Sequence, residues 1–254
     1  MTIDALGRRK GTSDVSTSSP APLLDAVLDE MGLDIVSGKI GPGETFTLGD
    51  MCDRFTISRT VAREVMRALE QIHLVESSRR IGITVQPKPR WAVYNQKVID
   101  WRLRTPGEAS AQLASLTQLR VAVEPVAARS MAENANEIER ADLVDLAKTL
   151  RDLGAEGGGS SEAFLDADMS FHQTILTASG NEMFAALVPS VITVLRGRTK
   201  LGLQPDHPKE LALQFHEELA AAIARGDEEA AEEYSHRLLA EVRTALDEPT
   251  EPLY

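Results

Sequence analysis

Between Ser58 and Arg67 the chain reads SRTVAREVMR, and a helix through this stretch has two faces of opposite chemistry. Arg59, Arg63 and Arg67 recur at i, i+4 and i+8 on one side, while Val61, Val65, Ala68, Leu69 and Ile72 line the other. An arginine stripe suits phosphates and base edges, but on an isolated amphipathic helix it is equally a solvated charged face. The flanking residues favour the first reading. Ser58 stands at an N-cap position, and Thr47-Leu48-Gly49-Asp50 has the Thr-x-x-Asp form that opens another helix. Two short helices joined by the turn Phe55-Thr56-Ile57 make a helix-turn-helix.

After this helix the periodicity becomes strand-like. Leu74 to Ser78, the basic pair Arg79-Arg80, and Ile81 to Val85 read as a β-hairpin with a basic tip, a wing beside a recognition helix. Ahead of both, an apolar-periodic helix from about Pro22 to Ser37 turns Leu24, Val27, Leu28, Met31, Ile35 and Val36 inward, and Gly38 and Gly41-Pro42-Gly43 end it. The order of elements is that of a winged helix-turn-helix.

With those residues in place, the chain resembles the GntR family of bacterial transcription regulators. IVSGKIGPGETF, ISRTVAREVMRALEQIHLVE and GITV carry the likeness, which runs from about Leu24 to Val85. The resemblance implies that Arg59, Thr60 and Arg63 contact double-stranded DNA, with Arg67 on the same stripe, and that Arg79 and Arg80 reach the minor groove or phosphates. Gly49 stands where relatives often carry an Arg, and Arg80-Ile81 replace a Gly-Arg at the wing tip.

The net charge of −12 argues against nucleic acid only if it is spread evenly, and it is not. Residues 1–90 carry 12 Lys+Arg and 12 Asp+Glu, and between Arg54 and Arg90 there are 8 basic residues against 3 acidic. The basic surface is thus expected on the reading head, and the acidic remainder disfavours non-specific sticking. At 254 residues and 43% hydrophobic the chain can build two cores, and it has no uninterrupted apolar membrane span. Residues 1–21 lack the apolar core of a secretory signal and read as a disordered arm, with Arg8-Arg9-Lys10 as a basic cluster. A single cysteine, Cys52, fits a small apolar role in a reducing cytoplasm.

The expected division is a head at 22–86, a linker at 87–94, a helical domain at 95–247 and a tail at 248–254. The fold class is mainly α, a winged helix-turn-helix followed by an all-helical antiparallel bundle. Bundle helices are expected at 95–104, 108–134 with a bend at Pro125, 137–153, 161–178, 181–200, 208–225 and 228–247. Ligand sites in bundles form where polar side chains of facing helices converge. Here Asp168-Met169-Ser170-Phe171-His172, LRVAVEPVAARSMAE and FHEELAAAIARGDEEAA resemble the FCD-type effector domain of the FadR subgroup of GntR regulators, over about Val98 to Val242. Asn95 to Arg104 is similar to members that respond to sugar acids such as galactonate.

Asp168 and His172 are i, i+4 on one helix, so carboxylate and imidazole project together and could hold a divalent transition metal, Zn or Ni, with His216 as a third ligand. Relatives often add a His where Leu238 stands. His236, two residues earlier, points roughly 200° away at about 100° per residue. The same three groups could instead bind an effector directly or satisfy one another. Arg120 falls on an apolar helix face with Leu116, Val123 and Ala127, and a buried Arg needs an anion. Glu124, one turn on, could supply it. The resemblance implies a clamp by Arg120 on the carboxylate of an organic acid. Arg196 and Arg198, on a later helix, are the remaining polar candidates.

The expected function is a cytoplasmic, homodimeric DNA-binding regulator, a repressor on an inverted-repeat operator, modulated by a small carboxylate bound at Arg120, Asp168, His172 and His216. Two other readings stand beside it: a ligand-blind dimeric DNA-binding protein and a metal-dependent hydrolase. No general base, phosphate-cradling loop or nucleophile motif accompanies the three ligands, so no enzyme is expected.

Overall fold

The computed structural model describes residues 20–200 and 205–247. Residues 1–19 of the expected arm and the expected tail at 248–254 lie outside the described residues. Helix α1 (Pro20–Val36) begins two residues before the position expected, at a proline, whose missing N–H is no loss in a first turn. Its face Val27, Leu28, Met31 and Ile35 packs on α3 (Arg59–Gln71) and shares one core with α2 (Leu48–Phe55) and a small sheet.

Both expected caps form. Thr47 Oγ1 accepts from Asp50 N at 3.2 Å while Asp50 Oδ2 accepts from Thr47 N at 2.7 Å, and Ser58 Oγ accepts from Val61 N at 3.3 Å. The tight turn between them puts Thr56 in the left-handed region at φ 52°. The inward face of α3 is Ala62, Val65 and Leu69, with Ala62 taking the place that the pattern gave to Val61.

The wing is strands β2 (Val75–Ser78) and β3 (Gly82–Val85), antiparallel, with Ser78 opposite Gly82. Ile83 and Val85 are buried, and Thr84 between them is half-buried. A two-residue strand, β1 (Thr45–Phe46), pairs with β3 on its other edge, so the order is β1-β3-β2. Two residues are too short a run for alternation to show, and β1 is not visible in the sequence.

Helix α4 (Gln96–Arg104) follows a 3₁₀ turn at Lys88–Arg90 and is buried on two sides. Val98 and Trp101, with Trp91, join the core of the head. Ile99 and Leu103 instead cluster with Leu113, Leu116 and Val194 of the helical domain. The head is clasped at Asp29 on α1, which accepts from Trp101 Nε1 at 2.7 Å and from both Nη atoms of Arg104 at 2.8 Å. Hydrogen bonding from Arg104 outweighs burial and lowers the Asp29 carboxyl below its ordinary range. Beside it, a Cβ added at Gly32 would lie 2.4 Å from the Trp101 ring. Gly32→Ala is therefore expected to destabilise the protein by about 1–3 kcal/mol through overpacking, despite the roughly 0.5–1 kcal/mol a helix gains from alanine. A lowered denaturation midpoint is the check.

The remaining helices are α5 (Pro106–Asn134), α6 (Glu137–Ala155), α7 (Glu162–Thr177), α8 (Glu182–Ala185), α9 (Val188–Lys200), α10 (Glu210–Arg225) and α11 (Glu228–Asp247). Helix α5 runs unbroken through Pro125 and packs against α11, α10, α7 and α9. The segment expected as one helix at 181–200 is two. Pro189 would clash with the carbonyl at Ala185 if the helix were continuous, so α8 stops there and α9 restarts with the proline in its first turn. Ala127, Ala128, Met131, Leu143, Leu150, Phe171, Ile175, Leu219 and Ile223 form the main core.

Candidate functional site

On the head, Arg59, Thr60, Arg63 and Arg67 are all exposed, as are Arg79 and Arg80 at the wing tip. The helix that carries the first four buries only its opposite face, so amphipathicity alone positions the stripe. Arg67 is partly neutralised by Glu64, 2.9 Å away. Arg54, counted in the basic excess, is turned to α1, where it meets Glu30 at 2.6 Å and Asp34 at 2.5 Å. Helix and wing are fastened together: Glu70 Oε1 on α3 accepts from Ser77 N at 3.0 Å and Ser77 Oγ at 2.8 Å on β2.

Inside the bundle, Arg120 and Glu124 on α5, Asp168 and His172 on α7, and His216 on α10 form one buried polar chain. Arg120 Nε donates to Glu124 Oε1 at 2.6 Å, and both side chains are 1% exposed. Glu124 Oε2 lies 2.7 Å from His172 Nδ1, close enough to pair but not aligned as a hydrogen bond. His172 Nε2 then faces Asp168 Oδ1 at 3.5 Å, and His216 Nε2 faces the same oxygen at 3.4 Å. His216 Nδ1 is 2.8 Å from the Ala212 carbonyl, which fixes the ring and leaves Nε2 for the cluster. Phe171 packs edge-on against both imidazoles.

Burial and charge pull in opposite directions here. Burial raises Glu124, but the charges of Arg120 and then His172 hold it at about 2. Burial raises Asp168, but the His172 and His216 imidazoles that face its Oδ1 outweigh it and hold the carboxyl well below the carboxylate range. Burial lowers His172, but Glu124 and Asp168 more than compensate and raise it. The Arg120 guanidinium is stabilised the same way by Glu124 and, at longer range, by Asp168.

The donor atoms of Asp168, His172 and His216 lie within 4.8 Å of one another. Two ligands each about 2.0–2.1 Å from a tetrahedral ion stand roughly 3.3–3.4 Å apart, close to the separations found from Asp168 Oδ1 to the two imidazoles. His216 Nε2 is buried without a hydrogen-bond partner. One carboxylate and two imidazoles, whose outer nitrogens face the Ala212 carbonyl and the Glu124 carboxylate, fit a divalent transition metal. His236 is exposed and Leu238 is buried in the core, so neither adds a ligand.

Arg120 is thus buried as expected, and the partner it has is Glu124, although its Nη1 has no hydrogen bond. Thr117 Oγ1, one turn earlier on α5, is likewise buried and unpaired. Sequence reasoning misses Thr117 and the link from Glu124 to His172; a threonine at a buried helix position is the only sign of the first. Arg196 is exposed, and the Arg198 side chain lies outside the described residues.

Residues 115–241 match the FCD domain family, and residues 23–85 match the family described as bacterial regulatory proteins, gntR family. The chain is 30% identical over 230 residues to the galactonate operon transcriptional repressor of Escherichia coli K12, covering 89% of this chain and 97% of that one. It is 26% identical to the uncharacterized HTH-type regulator YieP of the same organism, over 76% of this chain and 80% of the relative. Among solved structures it is similar to Lar, which controls expression of the Listeria monocytogenes agr system, with a TM-score of 0.57 at 14% identity over 89% and 96% of the two chains. That last likeness shows the fold alone.

Proposed function

Since the chain belongs to the GntR family of bacterial transcription regulators, with an FCD domain behind its DNA-binding head, we propose that it is a repressor released from its operator by a small carboxylate metabolite. The observation that carries this reading is the buried Arg120 guanidinium, whose Nη1 has no hydrogen bond, on the same polar chain as the Asp168, His172 and His216 cluster, with Thr117 Oγ1 one turn earlier on α5 also buried and without a hydrogen bond. Each such atom costs free energy when left unsatisfied, and a carboxylate with hydroxyls satisfies both a guanidinium N–H and a threonine hydroxyl. The free edge of the Arg120 guanidinium is the expected seat of the carboxylate. The galactonate relative supports a sugar acid or hydroxy acid as the ligand class.

Asp168, His172 and His216 would hold Zn or Ni, which when bound supplies a Lewis-acidic point for a ligand oxygen. Glu124 holds His172 in register and the Ala212 carbonyl holds His216. The protein is proposed to act as a homodimer in the cytoplasm, presenting Arg59, Thr60, Arg63, Arg67, Arg79 and Arg80 of two heads to an inverted repeat. No helix among the described residues is long and apolar enough to cross a membrane.

For release, the ligand must favour a geometry in which the heads no longer match their half-sites, because equal affinity for both geometries shifts nothing. A coupling of about 1–3 kcal/mol changes operator affinity roughly 5–150-fold. The test is titration of the DNA-bound protein with galactonate, gluconate, glucarate, lactate and acyl-CoA. Arg120→Lys is the variant to compare, because it leaves Glu124 a cation but removes the guanidinium fork. Release of wild type by an acid that the variant ignores supports the reading. Release by acyl-CoA alone, or equal responses from both proteins, contradicts it.

A further inference from the structure

The tip of the wing is the three-residue loop Arg79-Arg80-Ile81, closed by the Ser78–Gly82 pair. Ile83 and Val85, which share the parity of Ile81 along the strand, are 4% and 1% exposed, whereas Ile81 is 65% exposed and belongs to none of the hydrophobic clusters. A branched apolar side chain is therefore held in water between an arginine pair and the strand.

The loop is also held in place. Gly82 has φ +100°, and a Cβ there would lie 2.9 Å from the Phe46 carbonyl oxygen, so the strand starts against β1 at a point where only glycine fits. On the other strand Ser77 is bonded to Glu70 of α3. The tip thus sits at a set distance from the arginine stripe rather than at the end of a free loop.

We propose that Ile81 is an apolar wedge that enters the minor groove next to the bases faced by α3 and partly unstacks one base step. This rests on the reading that α3 faces DNA. Arg79 and Arg80 supply the cations that the electronegative groove and its phosphates attract, and the isoleucine displaces water from the groove floor. An apolar wedge makes no base-specific hydrogen bond, so its selectivity is mechanical. Pyrimidine–purine steps unstack most easily, and the wedge therefore favours TA or CA/TG at a fixed spacing from the major-groove contacts.

The probe is a duplex selected from random sequence by the wild-type protein, with 2-aminopurine placed in turn at each flanking step. Wild type should raise the fluorescence at one step and bend the duplex. Ile81→Ser should abolish the fluorescence rise, reduce the bend and lower affinity by roughly tenfold, the scale of a single base-pair preference. Ile81→Leu should retain all three. Because Ile81 is exposed, these variants keep the fold, and guanine N7 protection by α3 should be unchanged. If Ile81→Ser matches wild type in fluorescence, bending and affinity while Arg63→Ala loses N7 protection, the wedge is wrong and the α3 reading stands. If wild type selects no sequence, both are wrong.

Discussion

Replacing Arg59 and Arg63 together by alanine should abolish sequence-specific operator binding while leaving the denaturation curve where it was. Both side chains are exposed and outside the core, so the fold loses little when they are truncated. Each base-reading side chain is worth about 1–3 kcal/mol, and where either arginine also neutralises a phosphate its removal should flatten the salt dependence. Arg67→Ala should cost less than either single change, because Glu64 already takes part of its charge. The measurement is a fluorescence-anisotropy titration of the selected duplex at two salt concentrations. Operator affinity unchanged in the double variant would remove the stripe from the reading surface.

His172→Ala should empty the buried cluster of metal, whereas His236→Ala should leave the metal content at the wild-type level. The contrast follows from burial: His172 faces Asp168 inside the bundle and His236 is exposed on α11. Elemental analysis after reconstitution with Zn or Ni reads the outcome. Wild type that holds no stoichiometric metal would instead favour direct hydrogen bonding of an effector by the same side chains. Metal uptake requires neutral imidazoles, and the raised His172 means that protons begin to compete at a higher pH than for an ordinary histidine. Affinity should accordingly fall as the medium is acidified.

What can be read from the sequence is what short range determines. Thr47, Ser58 and Asn136 announce helix starts because a capping side chain bonds backbone only two or three residues away. The Arg59 to Arg67 stripe and the Asp168–His172 pair follow from helical spacing alone, and so does the opposite phase of His236 relative to Leu238. The break between α8 and α9 is local too, but Pro189 is masked by the longer apolar pattern in which it sits. Other features depend on tertiary approach. Nothing near Glu124 in sequence says that its second oxygen meets His172, 48 positions on, and nothing in Thr45-Phe46 says that β3 will run beside it. The convergence of His216 on Asp168 comes from resemblance and not from spacing.

The placement of α4 changes where this protein could be cut. A head excised at Gln86, where the expected linker at 87–94 begins, would lose Trp91, Val98 and Trp101 from its core and leave their apolar neighbours open to water. Asp29 would lose both of its partners on α4 at the same time. Removing α4 from the other side would equally strip Ile99 and Leu103 from Leu113, Leu116 and Val194. A chimera that transplants this head onto a different sensor should therefore fold only if it carries the chain through Arg104, and the acceptor must offer an apolar groove for the far side of that helix.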